Sequence, residues 1–320
     1  MGEFVEFDGS AIPEIRSLIA HYPFHPHRHY PLLTRDHSLR YYERALSSKP
    51  LSAGILLFGR EHGEVNGVIR IERFAWDSMH FGREMGGITH IIMREEMDRA
   101  AKREFLEEAV RRSAHRGIVH LTCRVDAEDV DVIHLLEGMR FSLMDTLTTY
   151  VCNKHARFTG GRRCLYRCDS ATSEDLPFLT SLARTSFRRD RFHLDPRFSK
   201  ECADTVFVEW VKRFLEPDRP QRLIVARNTK GCPIGFLGYV LDEEMRSVSG
   251  VKIIGRGLSA VSPRAKGAYI SLVEATIADV MEKYDLAEFD VRITDRQVTR
   301  ILNRYQFKVL QIKHTFHLWL

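Results

Sequence analysis

Hydrophobic and polar positions follow two different periods along this chain of 320 residues. Short apolar runs of strand length alternate with segments whose apolar residues recur every three or four positions, which predicts strands and helices in turn. In the first half the pattern predicts strands at 53–59, 64–74 and 87–93, a helix at 95–116, a strand at 119–125, a helix at 128–136 and a strand at 141–152.

The second half repeats this order of elements. The pattern there predicts strands at 222–227, 234–241 and 250–261, a helix at 268–284, a strand at 287–293, a helix at 295–304 and a last strand at 307–320. Residues 124–141 also parallel residues 292–307 after a small gap. We interpret the chain as two copies of one α/β unit with a mixed sheet. Two unrelated α/β domains with the same order of elements are the alternative.

The two copies predict two domains, which is also what the length favours. The segment 156–164 is polar and basic, contains a glycine pair and lacks an apolar period, so it is typical of an exposed linker. We therefore expect a first domain at 1–155, a linker at 156–164 and a second domain at 165–320.

Composition narrows the class of protein. With 44% hydrophobic and 28% charged residues, no apolar run of membrane-spanning length and no signal peptide, the chain is typical of a soluble globular protein. Six scattered cysteines fit a reducing cytosol, so we expect a cytoplasmic location. Cys164 and Cys168 have no matching second pair, and zinc is disfavoured.

Charge gives a hint about partners. The net charge of +5 favours a polyanionic ligand such as coenzyme A or a sugar nucleotide. No basic stripe interleaved with aromatic residues is present, so nucleic acid is not expected as a partner. A homodimer is possible, although no sequence feature argues for it.

The most informative segment is 257–275. An apolar strand ends at Ser262-Pro263, the glycine-containing loop 264–269 follows, and an amphipathic helix begins at once. A strand, a glycine-containing loop and a helix in this order direct bare backbone N–H groups at an anion. The dinucleotide fingerprint and the P-loop motif are both absent.

Arg264-x-x-Gly267-x-Tyr269 resembles the R-x-x-G-x-G/A pyrophosphate loop of the GNAT superfamily of N-acetyltransferases, with tyrosine in the last small position. The strand, helix and strand that follow also resemble the end of a GNAT domain, with Gln306 in place of the glycine before Phe307. The resemblance implies acetyl-CoA, or another acyl-CoA, as the cofactor. It implies binding by Leu258, Ala260, Val261, Arg264, Lys266, Gly267, Ala268 and Tyr269.

The first copy lacks this loop. Acidic residues precede its long helix in the segment Met93–Asp98, and they would repel a pyrophosphate. We therefore expect a degenerate GNAT-like first domain that supplies shape and acceptor contacts.

Two further segments, 76–82 and 191–198, are similar to those of the bacterial dTDP-fucosamine acetyltransferase group. That similarity implies an amino sugar carried on a nucleotide as the acceptor. The implied acceptor contacts are Trp76, Asp77, Ser78, Phe81, Arg191, Phe192, His193 and Asp195. Asp195-Pro196 could instead be a plain turn, with Asp195 capping the following helix.

Catalytic groups are less evident. The position at which related enzymes place a general-acid tyrosine is Leu302, and the nearest phenol is Tyr305. Tyr305 or Tyr269 could protonate the thiolate, and His314 or His317 could accept a proton. For Tyr305 and the two histidines, packing within the fold is the alternative interpretation.

The segment His21–His29 carries four alternating histidines, which on a strand could bind a metal. Two nearby prolines and the lack of a close cysteine or carboxylate favour a loop without metal.

The leading hypothesis from the sequence is an acyl-CoA-dependent N-acyltransferase. A non-catalytic acyl-CoA-binding protein is a second possibility, since the tyrosine position is substituted. An aminoacyl or peptidyl transferase that uses a charged tRNA is a third, although no helical arm or basic stripe is visible.

Overall fold

The computed structural model describes residues 3–6, 12–47, 54–154, 165–216 and 221–320. The predicted linker 156–164 lies outside these ranges, as do Ala53 and Cys164. Internal contacts divide the chain into two compact units. The first comprises residues up to His29, Leu33–Asp145 and Lys313–Leu320, and the second comprises Tyr30–Leu32 and Thr146–Ile312.

The first unit has a mixed sheet with helices on its faces. In chain order its elements are β1 (Glu3–Glu6), α1 (Ile12–His21), α2 (Arg35–Ser47), β2 (Ile55–Glu61), β3 (Glu64–Arg73), α3 (Ala75–Phe81), β4 (Met85–Met93), α4 (Arg99–His115), β5 (His120–Asp126) and α5 (Val130–Gly138). The strands lie in the order β1-β2-β3-β4-β5. Only β4 and β5 are parallel among these neighbours.

The second unit repeats the plan. Its elements are β6 (Ser142–Asn153), β7 (Arg167–Ser170), a 3₁₀ turn (Ser173–Asp175), α6 (Leu176–Ser186), α7 (Arg191–Leu194), α8 (Lys200–Arg213), β8 (Gln221–Arg227), β9 (Pro233–Leu241), α9 (Glu243–Ser249), β10 (Ile253–Val261), α10 (Ala268–Lys283), β11 (Leu286–Arg292), α11 (Arg296–Arg304) and β12 (Lys308–Trp319). The strands lie in the order β6-β11-β10-β9-β8-β7, and β10 and β11 are parallel.

The last strand of each half belongs to the unit of the other half. From Thr146 onward β6 is part of the second unit, where it lies antiparallel to β11 with Leu286 opposite Asn153. From Lys313 onward β12 is part of the first unit, where it lies antiparallel to β5. The sequence analysis had assigned each of these strands to the domain formed by its own half of the chain, because alternation of apolar residues does not specify the partner strand.

Both faces of the first sheet are covered. Leu56 and Phe58 of β2 pack with helices α1 and α2, whereas Ile55 and Leu57 pack with Phe105 of α4 and the apolar side of α5. Successive side chains of a strand point to opposite faces, so a strand covered on both sides is apolar at every position. This explains why β2 was visible in the sequence as a continuous apolar run.

The second sheet packs α10 and α11 on one face. Ala287 of β11 lies in a cluster with α10, and Val291 lies in a neighbouring cluster with Tyr305 and Phe307. Helix α6 packs on β9 and β10. Alternate residues of β11 therefore have different surroundings, and Glu288, Asp290 and Arg292 point away from α10.

The duplication is visible in backbone detail. Asp129 and Asp295 cap α5 and α11, and each carboxylate accepts a hydrogen bond of 3.3 Å from the backbone N–H three residues later. Two residues after the end of each helix the backbone is left-handed, at Arg140 with φ of 66° and at Gln306 with φ of 57°. The aligned segments 124–141 and 292–307 thus fold alike, which confirms the repeat.

The predicted elements are largely confirmed, with shifted ends. Helix α4 begins at Arg99, four residues later than predicted, because Asp98 caps it and accepts a hydrogen bond from the N–H of Ala101 at 2.9 Å. The strands β1 and β7 and the helices α1, α2, α3, α6, α7 and α9 were missed. The histidine segment forms turns at 26–29, as the loop interpretation predicted. None of the helices in the described ranges combines the length and apolar character needed to cross a bilayer.

Candidate cofactor and acceptor site

The parallel strands β10 and β11 of the second unit separate after a short paired stretch. They pair at Ile253 with Leu286 and at Ile254 with Ala287. Beyond these two pairs, β10 within the described chain continues to pair only with β9, up to Val261 opposite Gly235. The edge of β10 that faces β11 therefore presents unpaired backbone groups. We call the space between the two diverging strands the fork.

A β-bulge creates the fork. The register between β10 and β9 shifts between Gly255 and Leu258. Gly257 is required at this point because a Cβ there would lie 2.0 Å from the carbonyl oxygen of Gly238. A bulge bends its strand and re-aims the residues that follow it. An extended chain can pair with such an unpaired strand edge through main-chain hydrogen bonds.

The far end of the fork leads to the N-terminus of α10. The N-cap is Gly267, whose φ of 87° lies in the left-handed region, and no side chain caps the helix. The N–H of Ala268 donates to the carbonyl of Ala265 at 3.1 Å, and that of Ser271 donates to the carbonyl of Gly267. Of the residues predicted to bind phosphate, Ala268 thus already uses its N–H group inside the loop. The other N–H groups of the first turn have no partner within the helix.

The equivalent helix of the first unit differs at this point. Helix α4 has its N-terminus capped by the carboxylate of Asp98, and Glu95 and Glu96 precede it. Helix α10 has glycine at the cap, with Arg264 and Lys266 exposed beside it. A helix N-terminus attracts anions, so either the carboxylate of a capping side chain or the phosphate of a ligand can occupy this position. Of these two described helices, α4 has a side-chain cap and α10 has none.

Leu165 and Tyr166 lie directly against this loop. The phenol of Tyr166 donates to the carbonyl of Lys266 at 3.2 Å, and the N–H of Tyr166 donates to the hydroxyl of Ser271 at 3.3 Å. A Cβ on Gly267 would lie 2.6 Å from a methyl carbon of Leu165. Because C=O and N–H point in opposite directions across a trans peptide, fixing the Lys266 carbonyl also fixes the N–H of Gly267.

Known structures share this architecture over the whole chain. A tandem GNAT protein from the clavulanic acid biosynthesis pathway, solved without AcCoA, superposes on this chain with a TM-score of 0.57 at 13% sequence identity. The superposition covers 100% of this chain and 98% of the tandem GNAT protein. A GCN5-related N-acetyltransferase from Sphaerobacter thermophilus gives a TM-score of 0.61 at 13% identity, covering 99% and 95%. The chain has the tandem GNAT fold. This confirms the fold that the sequence resemblance implied.

Sequence comparison adds one relative. The spore coat polysaccharide biosynthesis protein SpsD of Bacillus subtilis (strain 168) is 26% identical over 151 residues. The match covers 45% of this chain and 48% of SpsD, so it spans about half the length of that curated relative. No protein-family model matches the chain.

In the tandem GNAT fold of this chain, the predicted cofactor residues lie along the fork and its end. Leu258 and Ala260 on β10 are 6% and 7% exposed, and Val261 ends the strand. Tyr269 lies in the first turn of α10, where it packs beside the cluster of α10 and α11. Burial raises the pKa of Tyr269 above its ordinary value, against the opposing effect of a hydrogen bond with Ser259. Its phenol therefore stays protonated at neutral pH.

Tyr305 has a different environment. It is 9% exposed, belongs to the core cluster of α10 and α11, and donates a hydrogen bond of 2.5 Å to the buried carboxylate of Glu274. Leu302, at the position expected for a tyrosine, is fully buried. The packing described here is the alternative interpretation given for Tyr305 above.

The two candidate histidines lie on the part of β12 that belongs to the first unit. His314 is opposite Val125 of β5 and lies 6.3 Å from the ring of Phe316. His317 is buried and packs edge to face on His120, with 4.5 Å between ring centres. Sequence analysis had treated both as groups of the second copy, because they follow it in the chain.

The predicted acceptor residues of the first unit lie on the short helix α3. Trp76 stacks on His80 with 5.1 Å between ring centres, and His80 packs against Phe81. Ser78 is buried. Its hydroxyl donates to the carbonyl of Phe74 at 2.8 Å and accepts from the N–H of Met85 at 2.9 Å, which ties α3 to β4. Asp77 lies in the first turn.

The predicted acceptor residues of the second unit form a capped turn of helix, α7. Phe192 is 1% exposed and packs on Phe198, so its ring is part of the core. The guanidinium of Arg191 lies 4.3 Å from the centre of the Phe192 ring. Asp195 is buried and accepts a hydrogen bond from the N–H of Arg197 at 3.0 Å.

The alternative of a turn at Asp195-Pro196 agrees with the structure, but the cap that it assigned to Asp195 was wrong. Ser199 is the N-cap of α8, and its hydroxyl accepts from the N–H of Cys202 at 3.2 Å. Asp195 instead closes the turn before it, where the carboxylate can reach an N–H only two residues away.

His193 links α7 to α8. Its Nδ1 lies 2.5 Å from a carboxylate oxygen of Asp190, and its Nε2 lies 3.0 Å from Asp204. Asp204 also pairs with Arg188 at 2.7 Å and with Lys200. Both ring nitrogens of His193 are therefore engaged within the fold.

This network predicts a pH-dependent stability. Burial disfavours the charged form of Asp204, but Lys200, His193 and Arg188 outweigh it and hold the pKa at about 2. The ordinary value is about 3.9. The ionised carboxylate thus stabilises the fold above about pH 4, and this contribution is lost as the pH falls toward about 2.

We expect Asp204→Asn to have a lower Tm than wild type at neutral pH, with a difference in Tm that becomes smaller in acid. Glu201→Gln, exposed on the same helix, is the control; an equal gap at all pH values would contradict the prediction.

Sequence reasoning missed Tyr166 and Gly257. The two glycines at 255 and 257, close before a phosphate-loop pattern, could have signalled the bulge. No local pattern marks Tyr166, because its role arises from contacts with residues about 100 positions away in the sequence.

Proposed function

We propose that the chain is an acyl-CoA-dependent N-acyltransferase whose second unit binds acetyl-CoA. The observation that carries the proposal is the glycine-capped N-terminus of α10 at the end of an open strand fork, at a place where the first unit has Asp98. Sequence and structure are consistent at this site, since the tandem GNAT fold and the Arg264-x-x-Gly267 pattern coincide there.

The residues present fit this cofactor. The N–H groups of Lys266 and Gly267 and the first turn of α10 would hold the pyrophosphate, and Arg264 would add positive charge. The unpaired edge of β10 from Leu258 to Val261 would bind the pantetheine arm through its backbone groups. When bound, acetyl-CoA supplies an activated acyl group as a thioester.

Tyr269 is our candidate for the acid that protonates the departing thiolate. A phenol is protonated at neutral pH, and Tyr269 stands in the first turn of the helix that ends the fork. Tyr305 is a weaker candidate because its hydroxyl is donated to Glu274 inside the core.

An amino sugar carried on a nucleotide is our proposal for the acceptor. It rests on the segments 76–82 and 191–198 and on the partial similarity to a spore coat polysaccharide biosynthesis protein. Arg191, beside the buried ring of Phe192, is the acceptor residue of the second unit best suited to meet a phosphate.

Ligand-induced stabilisation tests the cofactor assignment. Thermal unfolding is measured with acetyl-CoA, with free CoA, and with ATP as a control for nonspecific phosphate binding. At a ligand concentration of a hundred times Kd, stabilisation of about 2.7 kcal/mol and a clear rise in Tm are expected for the first two ligands. The same rise with ATP, or none with acetyl-CoA, would contradict the proposal. Release of CoA thiol with nucleotide-linked amino sugars then tests turnover.

A further inference from the structure

Two arginines of the second unit meet where β11 ends. Arg292 is the last residue of β11, and its Nη1 donates a hydrogen bond of 2.9 Å to the backbone carbonyl of Arg189, in the loop after α6. These residues are 103 positions apart in the sequence. Arg292 is half-buried and Arg189 is exposed. The contact therefore brings two cationic residues together at the surface.

Neither of these two side chains forms an ion pair with a carboxylate in the part of the chain that the structure describes. The residues on either side of Arg189 do have such partners. Asp190 lies 2.5 Å from the ring of His193, and Arg188 is paired with Asp204 at 2.7 Å. The two arginines are thus a local excess of positive charge, which attracts an anion.

The first unit neutralises the equivalent contact between a loop and a strand end. There Arg28, in the loop between α1 and α2, pairs with Asp126 at 3.1 Å and with Glu128 at 2.5 Å. Asp126 ends β5 and Glu128 follows it. In the aligned segment of the second unit, Thr294 stands in place of Asp126, and Glu128 falls in the gap. The second unit thus keeps a loop-to-strand contact made by an arginine, but neither carboxylate has a counterpart.

The arginine pair lies on the face of the sheet opposite α10. Ala287 and Val291 of β11 pack in the clusters of α10 and α11, so Arg292 points to the other side, which carries α6. Because β10 and β11 are parallel, Arg292 lies at the same end of the sheet as the loop 264–269. An anion held by the pair would therefore be close to the end of the fork, but separate from a phosphate bound at α10.

We infer that Arg189 and Arg292 bind a phosphate group of the acceptor. The inference rests on the proposed function, which places the cofactor phosphates at α10 and leaves the α6 face to the acceptor. A planar guanidinium can donate two parallel hydrogen bonds to a phosphate, which is why arginine is preferred where phosphate is recognised. The acceptor is thereby predicted to be an amine that carries a phosphate or diphosphate group.

The test does not need the natural acceptor. Inorganic pyrophosphate is the probe, and saturating CoA first fills the proposed site at α10. The Kd of pyrophosphate for the CoA complex is measured by phosphorus NMR titration. Wild type should bind the probe, and Arg292→Gln and Arg189→Gln should each raise its Kd about tenfold, as for the loss of hydrogen bonds to a charged group.

The choice of variants separates binding from folding and from general charge. Arg292→Gln also loses the hydrogen bond to the loop, whereas Arg189→Gln changes only an exposed side chain and should have the Tm of wild type. Arg300→Gln is the matched control. It removes the same charge from an exposed position of α11, on the other face of the sheet, and should leave the Kd of pyrophosphate within twofold of wild type.

A second comparison identifies the source of the phosphate. CoA carries a 3′-phosphate that 3′-dephospho-CoA lacks, and isothermal titration gives the Kd of both compounds. We expect Arg189→Gln and Arg292→Gln to bind each of them within twofold of wild type. Weaker binding of CoA with unchanged binding of 3′-dephospho-CoA would assign the arginines to the cofactor and overturn the acceptor site.

The remaining outcomes separate this inference from the proposed function. A wild-type CoA complex that binds no pyrophosphate overturns the arginine site, as does an unchanged Kd of pyrophosphate in both Arg189→Gln and Arg292→Gln. An equal rise in Arg300→Gln would reduce the effect to net charge and would also overturn it. A wild type that binds no CoA overturns the proposed function itself.

Discussion

Gly267→Glu should weaken acetyl-CoA binding about 100-fold, equivalent to about 2.7 kcal/mol. Two effects act together. Any residue other than glycine is strained at a φ of 87°, and the new carboxylate would stand at the N-terminus of α10, where the pyrophosphate is proposed to bind. Juxtaposed like charges cost several kcal/mol in a binding interface. The measurement is the Kd by isothermal titration.

Two further variants separate charge from backbone strain. Gly267→Ala introduces the strain and displaces only the exposed end of Leu165, so we expect a loss of no more than about tenfold. Gly250→Glu puts the same carboxylate on another glycine with positive φ, at the end of α9, where a Cβ meets nothing within 4 Å. It should destabilise the fold slightly and leave the Kd unchanged. Equal Kd values for wild type and Gly267→Glu would refute the loop assignment.

Phe316→Ala should destabilise the first unit by about 3–5 kcal/mol, the usual cost of truncating a fully buried phenylalanine. Phe316 is 1% exposed and lies opposite Cys123 of β5, in the core cluster with Phe105 and Leu121. The residue comes from the last strand of the chain, yet its cavity would open in the unit built mainly from the first half.

Hydrogen exchange can show which unit is affected. In Phe316→Ala the amides of β3, β4 and β5 should lose protection, whereas those of β8 and β9 should keep it. Val309→Ala is the control, because Val309 lies on the same strand but is 50% exposed, and its truncation should change stability by less than about 0.5 kcal/mol. Lost protection confined to β8 and β9 would place the last strand in the second unit and contradict the contacts reported above.

Much of the fold was predictable because it is locally encoded. Strands β2 to β5 and β8 to β11 are apolar runs bounded by turns, and the long helices α4 and α10 have clear apolar faces. The parallel between segments 124–141 and 292–307 predicted the duplication. It was confirmed down to the left-handed residues Arg140 and Gln306, although neither is glycine.

Part of the site was predictable for the same reason. Gly267 and its neighbours form a contiguous sequence pattern, and such a pattern can be recognised without knowledge of the tertiary structure. The environment of the predicted acceptor residues could not be recognised from the sequence in this way. Phe192 was expected to contact a sugar and lies in the core, and both nitrogens of His193 are bound to aspartates. An aromatic or histidine residue in a short motif has the same letter whether it faces a ligand or the interior.

The sequence by itself determined the order of elements, the duplication and the place of the loop that we propose binds phosphate, since each depends on residues close together in the chain. The tertiary structure decided two things. It placed the last strand of each half in the other unit, and it brought Tyr30 to Glu288. Strand partners and long-range hydrogen bonds depend on which surfaces meet in three dimensions, and the local periodicity of the sequence does not specify this.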